Sequence, residues 1–86
     1  MRKDKMELAA VLGKIDETSQ DYSMPRRVKS VLKKVGDDLK NNGQDMSMRI
    51  TTAIYGIEEV AGDINIPMHA KTQLWDIISD LEALKR

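Results

Sequence analysis

The 86-residue sequence predicts an all-α protein, a compact four-helix bundle made of two similar antiparallel helical hairpins. Apolar residues recur at helical spacing in four segments, and no segment shows the sustained apolar–polar alternation of a half-buried strand. Shifted by 42 positions against itself, the sequence is identical at nine of the 34 positions from Met6 to Leu39. Each half therefore encodes one hairpin, and the apolar face of one hairpin needs the other to cover it.

Aliphatic stripes indicate the two helices of the first hairpin, at about residues 3–41. Leu8, Leu12 and Ile15 follow spacings of four and three residues, which predicts a helix over about residues 3–20. The next stripe predicts a helix over about residues 24–41, and its members are Val28, Val31, Leu32, Val35 and Leu39.

The second hairpin is expected at about residues 46–85, so that one helical domain fills residues 1–86. Its first helix is predicted over about residues 46–62, with Asp45 or Ser47 available to cap it. The stripe of that helix is Ile50, Ala53, Ile54, Ile57, Val60 and Ala61. The last helix is predicted over about residues 66–85, and its stripe is Ala70, Leu74, Ile77, Ile78, Leu81 and Leu84.

Each hairpin turns at a proline, in an Asp-x-Ser-x-Pro segment at residues 21–25 and an Asp-x-Asn-x-Pro segment at residues 63–67. Proline disfavours helical geometry in the residue before it, so the preceding helix has to end. Ser23 and Asn65 are expected to accept hydrogen bonds from the first free amides of the following helices. Gly62 suits a left-handed residue at the end of the third helix.

Short connections make consecutive helices antiparallel neighbours, which favours closure of the two hairpins into a bundle. An open stack of two HEAT-like repeats is the alternative, because a 42-residue period lies within the range of such solenoids. A solenoid of only two repeats would leave its terminal faces uncovered, so the closed bundle is the prediction.

Three glycines, Gly13, Gly36 and Gly56, lie inside predicted helices, where each costs about 1 kcal/mol relative to alanine. Close approach of two helices is one reason to retain them. On this hypothesis, a Gly13→Ala substitution would destabilise the fold.

Composition narrows the function classes. The chain has no cysteine, which excludes disulfides and thiolate chemistry. We expect a cytoplasmic protein, because no long apolar stretch indicates a signal peptide or a membrane span. The net charge is zero, but residues 1–43 carry +3 and residues 44–86 carry −3. Mutual attraction of the halves is the favoured interpretation, ahead of steering of a charged partner.

A basic run in the second predicted helix is the strongest candidate for an anion or nucleic-acid contact. Its members are Arg26, Arg27, Lys29, Lys33 and Lys34. Such a surface could bind phosphates through counterion release. The zero net charge and the lack of interleaved aromatic residues favour a solvated helix face instead.

Catalytic and metal-binding patterns are weak. His69 is the single histidine, and no second histidine or carboxylate stands at a ligand-like spacing from it, so an exposed or capping role is expected. Two acidic groups occupy equivalent places in the halves and could in principle bind a cation. The favoured role is solvation, with the aspartates of the turns bonding turn amides; the groups are Asp16, Glu17 and Asp21, and Glu58, Glu59 and Asp63. We expect no enzymatic activity, cofactor or metal.

Trp75 stands just off the stripe of the fourth helix, with Met68 two turns before it. Burial inside the monomer is the favoured prediction for this tryptophan. If the two side chains were exposed, they would form a candidate interface for a partner protein or for a second copy in a homodimer.

The segment from Asn65 to Ile78, with its run Pro67-Met68-His69-Ala70, resembles the carboxyl-terminal signature of a small archaeal family of uncharacterised proteins. The run Pro25-Arg26-Arg27-Val28 fits the same pattern, so that the resemblance covers nearly the whole chain. It implies a helical bundle in an archaeal cytoplasm and brings no assigned activity. The favoured function is a non-enzymatic protein-interaction or scaffold module; weak nucleic-acid or anionic-ligand binding through residues 26–34 is the alternative.

Overall fold

The computed structural model describes residues 3–41, 43 and 45–85, with side chains from residue 8 onward. These residues form four α-helices, and the all-α prediction is confirmed. The helices are α1 (Lys3–Gln20), α2 (Arg26–Lys40), α3 (Met46–Ala61) and α4 (Met68–Lys85). All eight helix ends lie within two residues of the predicted ones.

The helices close into an antiparallel bundle of 39 × 20 × 19 Å. Helix α1 packs against α2 and α4, and α3 packs against the same two helices. The contact between α1 and α4 closes the ring, which an open HEAT-like stack would not do. Both proline turns therefore lie at one end of the bundle, called the turn end below, and the α2–α3 connection lies at the other.

The core is aliphatic, and all four helices contribute to one cluster. Met24 and Ile66, the residues that precede the two prolines, are buried and close the cluster at the turn end. None of the three aromatic residues of the chain belongs to it. Burial of the aliphatic side chains is the main source of stability, at roughly 25 cal/mol for each Å² of apolar surface removed from water.

The two turns are stabilised by aspartates, and the predicted capping by Ser23 and Asn65 is wrong. Asp21 Oδ1 accepts the Ser23 N–H at 2.9 Å and the Ser23 hydroxyl at 2.7 Å. Asp63 Oδ1 accepts the Asn65 N–H at 2.8 Å in the same way. Pro25 takes the N-cap position of α2, which has no side-chain cap, because Ser23 lies two residues too early to reach the free amides.

Helix α3 is capped at both ends, although not in the predicted way at its carboxyl end. Asp45 Oδ1 accepts the Met48 N–H at 2.8 Å, as expected for an N-cap. Gly62 adopts right-handed helical geometry, with φ −81°, so the prediction of a left-handed residue is wrong. The Lys71 ammonium donates to the carbonyls of Ala61 and Asp63 at 3.0 and 2.7 Å, which satisfies the end of the helix without a left-handed turn.

Close helix packing does not explain Gly13. A methyl group built at this position would meet no atom within 4 Å outside its own helical backbone, because Gly13 faces solvent. At Gly36 a methyl group would lie 3.6 Å from Ile15 Cγ2, which is an ordinary van der Waals contact. The hypothesis that Gly13 permits close approach is therefore wrong.

Gly13→Ala is expected to stabilise the protein by about 0.5–1 kcal/mol, since alanine restricts the unfolded chain and fits the open helical site. The free energy of unfolding from urea denaturation measures this change, with an unchanged m-value as the check on two-state behaviour. Gly36→Ala is the control, because it changes helix propensity equally but adds a contact with Ile15. A lower midpoint for Gly13→Ala would contradict the structure.

Candidate interaction surfaces

Ion pairs between the hairpins follow the charge asymmetry of the sequence. Lys14 Nζ donates to Asp76 Oδ2 at 2.8 Å and to Asp80 Oδ2 at 2.7 Å, which ties α1 to α4. Arg27 Nη1 donates to Asp63 Oδ2 at 2.7 Å, from α2 to the second turn. In each pair the cation belongs to the positive half and the acid to the negative half. Some of the charges that make the two halves unequal therefore hold the hairpins together. This supports mutual attraction of the halves over steering of a charged partner.

The positions of α2 and α3 that correspond to Asp76, Asp80 and Lys14 in the repeat do not form an ion pair between helices. Positions 34 and 38 stand 42 residues before positions 76 and 80, and Lys34 and Asp38 pair with each other at 3.3 Å. Position 56, which corresponds to Lys14, is a glycine whose added methyl group would lie 3.7 Å from Val35 Cγ2. The α2–α3 contact therefore needs no third charge, and a small residue suffices there.

At the turn end, His69 links the two turns. Its Nε2 lies 3.3 Å from the carbonyl oxygen of Ser23, and its side chain is exposed. The Ser23 hydroxyl and backbone N–H lower the pKa of Asp21, and the nearby His69 acts in the same direction. Among the described side chains, those of residues 8–41, 43 and 45–85, no three histidine or acidic groups cluster closely enough to hold a metal ion.

The five basic residues predicted as an anion contact do not form one surface. Arg27 is paired with Asp63, and Lys34 is paired with Asp38. The other three, Arg26, Lys29 and Lys33, share the side of α2 that adjoins α1. Lys33 lines a groove of about 270 Å³ between these helices, and two carboxylates, those of Asp16 and Asp37, line it as well. The groove therefore carries mixed charge.

Large apolar side chains are exposed mainly in the second hairpin. Seven are exposed among the described residues, and six of these follow position 44: Met46, Met48, Tyr55, Ile64, Met68 and Trp75. Trp75 is 49% exposed, so the prediction that it is buried in the monomer is wrong. Its helix buries Leu74 and Ile78 instead, and Trp75 falls outside that stripe.

Four of these six side chains share one outer surface, which we call the α3–α4 face: Met48, Tyr55, Met68 and Trp75. Gly56 is directed at α2, and Tyr55, the residue before it, is turned by about 100° around α3, to the outer side of the helix that faces away from α2 and from the core. On α4, Asp76 is directed at α1 and Lys71 at α3. Trp75 is one helical turn after Lys71 and therefore lies beside α3 as well.

The side chains of the α3–α4 face are spaced by two helical turns. Met48 and Tyr55 are seven residues apart on α3, as are Met68 and Trp75 on α4, so each pair shares a helix side. Tyr55 is 67% exposed and Met68 is 72% exposed. The result is a strip of two aromatic rings and two thioethers along the bundle.

Two carboxylates lie between the two rows of this strip. Glu58 and Glu82 lie next to it on α3 and α4, toward the groove between the two helices. None of the four ion pairs among the described side chains involves either glutamate. The neighbouring cation, Lys71, donates to backbone carbonyls instead. The α3–α4 face therefore combines an exposed apolar strip with two carboxylates and one ammonium in the groove between its two rows.

The equivalent face of the first hairpin is different. The residues 42 positions before Tyr55, Met68 and Trp75 are Gly13, Arg26 and Lys33. The same positions of the hairpin thus carry a polar, mixed-charge groove on one side of the bundle and an apolar strip on the other. Sequence reasoning identified Met68 and Trp75 but missed Met48 and Tyr55, whose spacing of seven residues was a usable signal.

The chain is similar to known proteins over nearly its whole length. The model of an uncharacterised protein family, UPF0147, matches residues 1–84. The chain belongs to this family. A UPF0147 protein of Thermoplasma acidophilum is 34% identical over the whole chain and 98% of the relative. A UPF0147 protein of Methanocaldococcus jannaschii is 33% identical over 91% of this chain and 84% of that one. The predicted resemblance to an uncharacterised archaeal family is confirmed.

Solved structures agree with the bundle. The crystal structure of a UPF0147 protein from Thermoplasma acidophilum superimposes with a TM-score of 0.92 at 34% identity, covering 98% of this chain and 99% of that one. A second crystal structure, of a protein of unknown function, has a TM-score of 0.85 at 30% identity and covers 93% and 91%. Over the described residues, no helix is both long enough and apolar enough to cross a membrane.

Lys14→Met is expected to lower the free energy of unfolding by about 0.5–1 kcal/mol at neutral pH, because it leaves Asp76 and Asp80 without their shared cation. Thermal or urea unfolding measures the change. Lys34→Met, which breaks only a pair within α2, is the control and should cost about 0.3 kcal/mol. Equal losses in the two variants would show that the link between hairpins adds nothing.

The effect of Lys14→Met should disappear at high pH. The hydrogen bonds to Asp76 and Asp80 raise the pKa of Lys14 above its ordinary value. A pKa raised by folding contributes stability below the unfolded-state pKa, of about 10.4, and loses it as the pH rises through the folded-state pKa. The difference in melting temperature between wild type and variant should therefore be constant from neutral pH to about pH 10 and shrink above it. A difference that persists at higher pH would assign the effect to packing.

Proposed function

We propose that this protein is a non-enzymatic, cytoplasmic interaction module that binds a partner protein through the α3–α4 face. The observation that carries the proposal is the exposure of Trp75 beside Tyr55, in a chain that has only three aromatic residues. Tryptophan and tyrosine are enriched among the residues that dominate binding energy at protein interfaces. A partner that covers them also removes the methionines of the strip from water.

The chemistry of the face supports contact more than catalysis. Thioethers and aromatic rings adapt to an apolar partner surface and bring no general acid or base. Among the described residues, the titratable groups of this face are the carboxylates of Glu58 and Glu82, the phenol of Tyr55, and Lys71, which is held on the end of α3. A rigid helical pair with a satisfied backbone presents this strip, so little ordering is needed on binding.

Site-specific photo-crosslinking tests the proposal. The photoreactive residue p-benzoylphenylalanine is introduced at Met68, and the purified variant is irradiated in extract of the source cells. The matched control carries it at Arg26, which is the equivalent exposed position on the opposite face. We expect a discrete protein adduct from position 68, reduced at least tenfold by an added Trp75→Ser substitution. No adduct, or the same adducts from both positions, would contradict the proposal.

Weak binding of nucleic acid or another anionic ligand is the second candidate. Arg26, Lys29 and Lys33 share the α1–α2 side of the bundle and form none of the ion pairs among the described side chains. Fluorescence anisotropy with single-stranded and duplex oligonucleotides tests it. Binding of this kind should fall with added salt and be lost in an Arg26→Glu/Lys29→Glu variant, while Lys85→Glu retains most of it. Binding that the double variant leaves unchanged would end this candidate.

A further inference from the structure

Resting on the proposed function, we infer that Met48 and Met68 are sites of reversible oxidation, and that their conversion to methionine sulfoxide by a peroxide turns off binding at the α3–α4 face. Three observations carry this inference. The chain has no cysteine, the two thioethers are exposed to solvent, and neither of them contributes to the core.

Methionine holds all the sulfur of this protein. The sequence has six methionines and no cysteine, so thioethers are the only sulfur groups that a peroxide can oxidise. The described methionine side chains differ widely in exposure: Met24 is 4% exposed, Met46 36%, Met48 52% and Met68 72%. Because the oxidant has to reach the sulfur, Met68 and Met48 should react first and Met24 last.

The reaction transfers one oxygen atom to the thioether. The sulfur attacks one oxygen of hydrogen peroxide, so that an S–O bond forms and the O–O bond breaks. The leaving hydroxide takes the proton of the transferred hydroxyl and becomes water, and the sulfur is oxidised by two electrons. Methionine sulfoxide reductases reverse the change: two thiols become a disulfide, and the oxygen leaves as water. Exposed side chains are accessible to such enzymes as well as to the peroxide.

Oxidation changes the chemistry of the α3–α4 face. The sulfoxide oxygen is a polar acceptor, and a partner surface that covers an apolar strip would bury it without a donor. Met48 stands two helical turns from Tyr55, and Met68 stands two turns from Trp75. Oxidation of both methionines therefore places a polar group in each of the two rows of the strip.

The fold should be unaffected by the same reaction. The core cluster contains Met24 but neither Met48 nor Met68. Sulfoxides at the two exposed positions thus lie in water in the free protein, where their oxygens are hydrated. The change is confined to the binding surface, so it acts on binding rather than on stability.

Peptide mapping by mass spectrometry tests the modification sites. It measures the oxidation rate of each methionine in native protein treated with hydrogen peroxide. We expect Met68 and Met48 to be oxidised roughly tenfold faster than Met24. In urea-unfolded protein the three rates should become equal, because every thioether is then exposed to solvent. Equal rates for Met24 and Met68 in the native protein would overturn the inference.

Photo-crosslinking tests the effect of oxidation on binding. The photoreactive residue p-benzoylphenylalanine is placed at Tyr55, so that both methionines stay in the protein, and the peroxide is removed before cell extract is added. We expect the protein adduct from position 55 to fall roughly tenfold after oxidation. It should return after treatment with dithiothreitol and two sulfoxide reductases, one for each epimer of the sulfoxide.

Two variants separate oxidation from other effects of the peroxide. Met48→Leu/Met68→Leu is the matched control, because leucine keeps the strip apolar and cannot be oxidised, so its adduct should survive peroxide. Met68→Gln introduces a polar group of similar length and should lower the adduct without peroxide. Loss of the adduct in the leucine variant, or a lower melting temperature of the oxidised wild type, would overturn the inference.

The inference and the proposed function can fail separately. If the reduced protein gives an adduct that peroxide does not change, the interaction module stands and only its control by oxidation is wrong. If the reduced protein gives no adduct from position 55 or from position 68, the proposed function is wrong, and its control by oxidation is wrong with it.

Discussion

Closure of the two hairpins over one aliphatic core is the constraint on which the rest of the structure depends. Each hairpin alone would leave a stripe such as Val28, Leu32 and Leu39 in water, since two antiparallel helices cannot cover their own inner faces. Contact between α1 and α4 completes the ring and buries these side chains. Because the aliphatic core is closed without any aromatic residue, Tyr55 and Trp75 are available at the surface.

The ion pairs show how two similar hairpins are made to fit one another. Lys14 pairs with two aspartates of α4, whereas the corresponding positions of α2 pair with each other within one helix, and the position that corresponds to Lys14 is a glycine packed near Val35. At the turn end, Arg27 of the first hairpin likewise forms an ion pair with Asp63 of the second. These differences account for a part of the opposite charges of the halves. Glu58 and Glu82, which belong to none of these pairs, lie on the α3–α4 side of the bundle, and Arg26 and Lys33 lie on the α1–α2 side.

Helix positions were predictable because they depend on local periodicity and on proline, but the details at helix ends were not. The side chain of Ser23 could cap the start of α2, yet its hydroxyl donates a hydrogen bond to Asp21 within the turn. Gly62 could adopt a left-handed conformation, but Lys71, nine residues later, satisfies the end of α3 instead. A lone tryptophan favours the core, which predicts burial of Trp75, but smaller residues from all four helices fill that core, and the pattern of one helix does not show this.

The sequence by itself determined the helical class, the four helix spans and the hairpin turns, because these follow from spacing and from residues close together in the chain, and the run Pro67-Met68-His69-Ala70 carried its resemblance to an uncharacterised archaeal family. Only the tertiary structure decided which charges pair and which surface is left apolar. Lys14 and Asp76 are far apart in sequence, and their contact exists only once α1 meets α4. The same holds for Tyr55 and Trp75, which share a face because the antiparallel packing of α3 on α4 turns both of them away from the core.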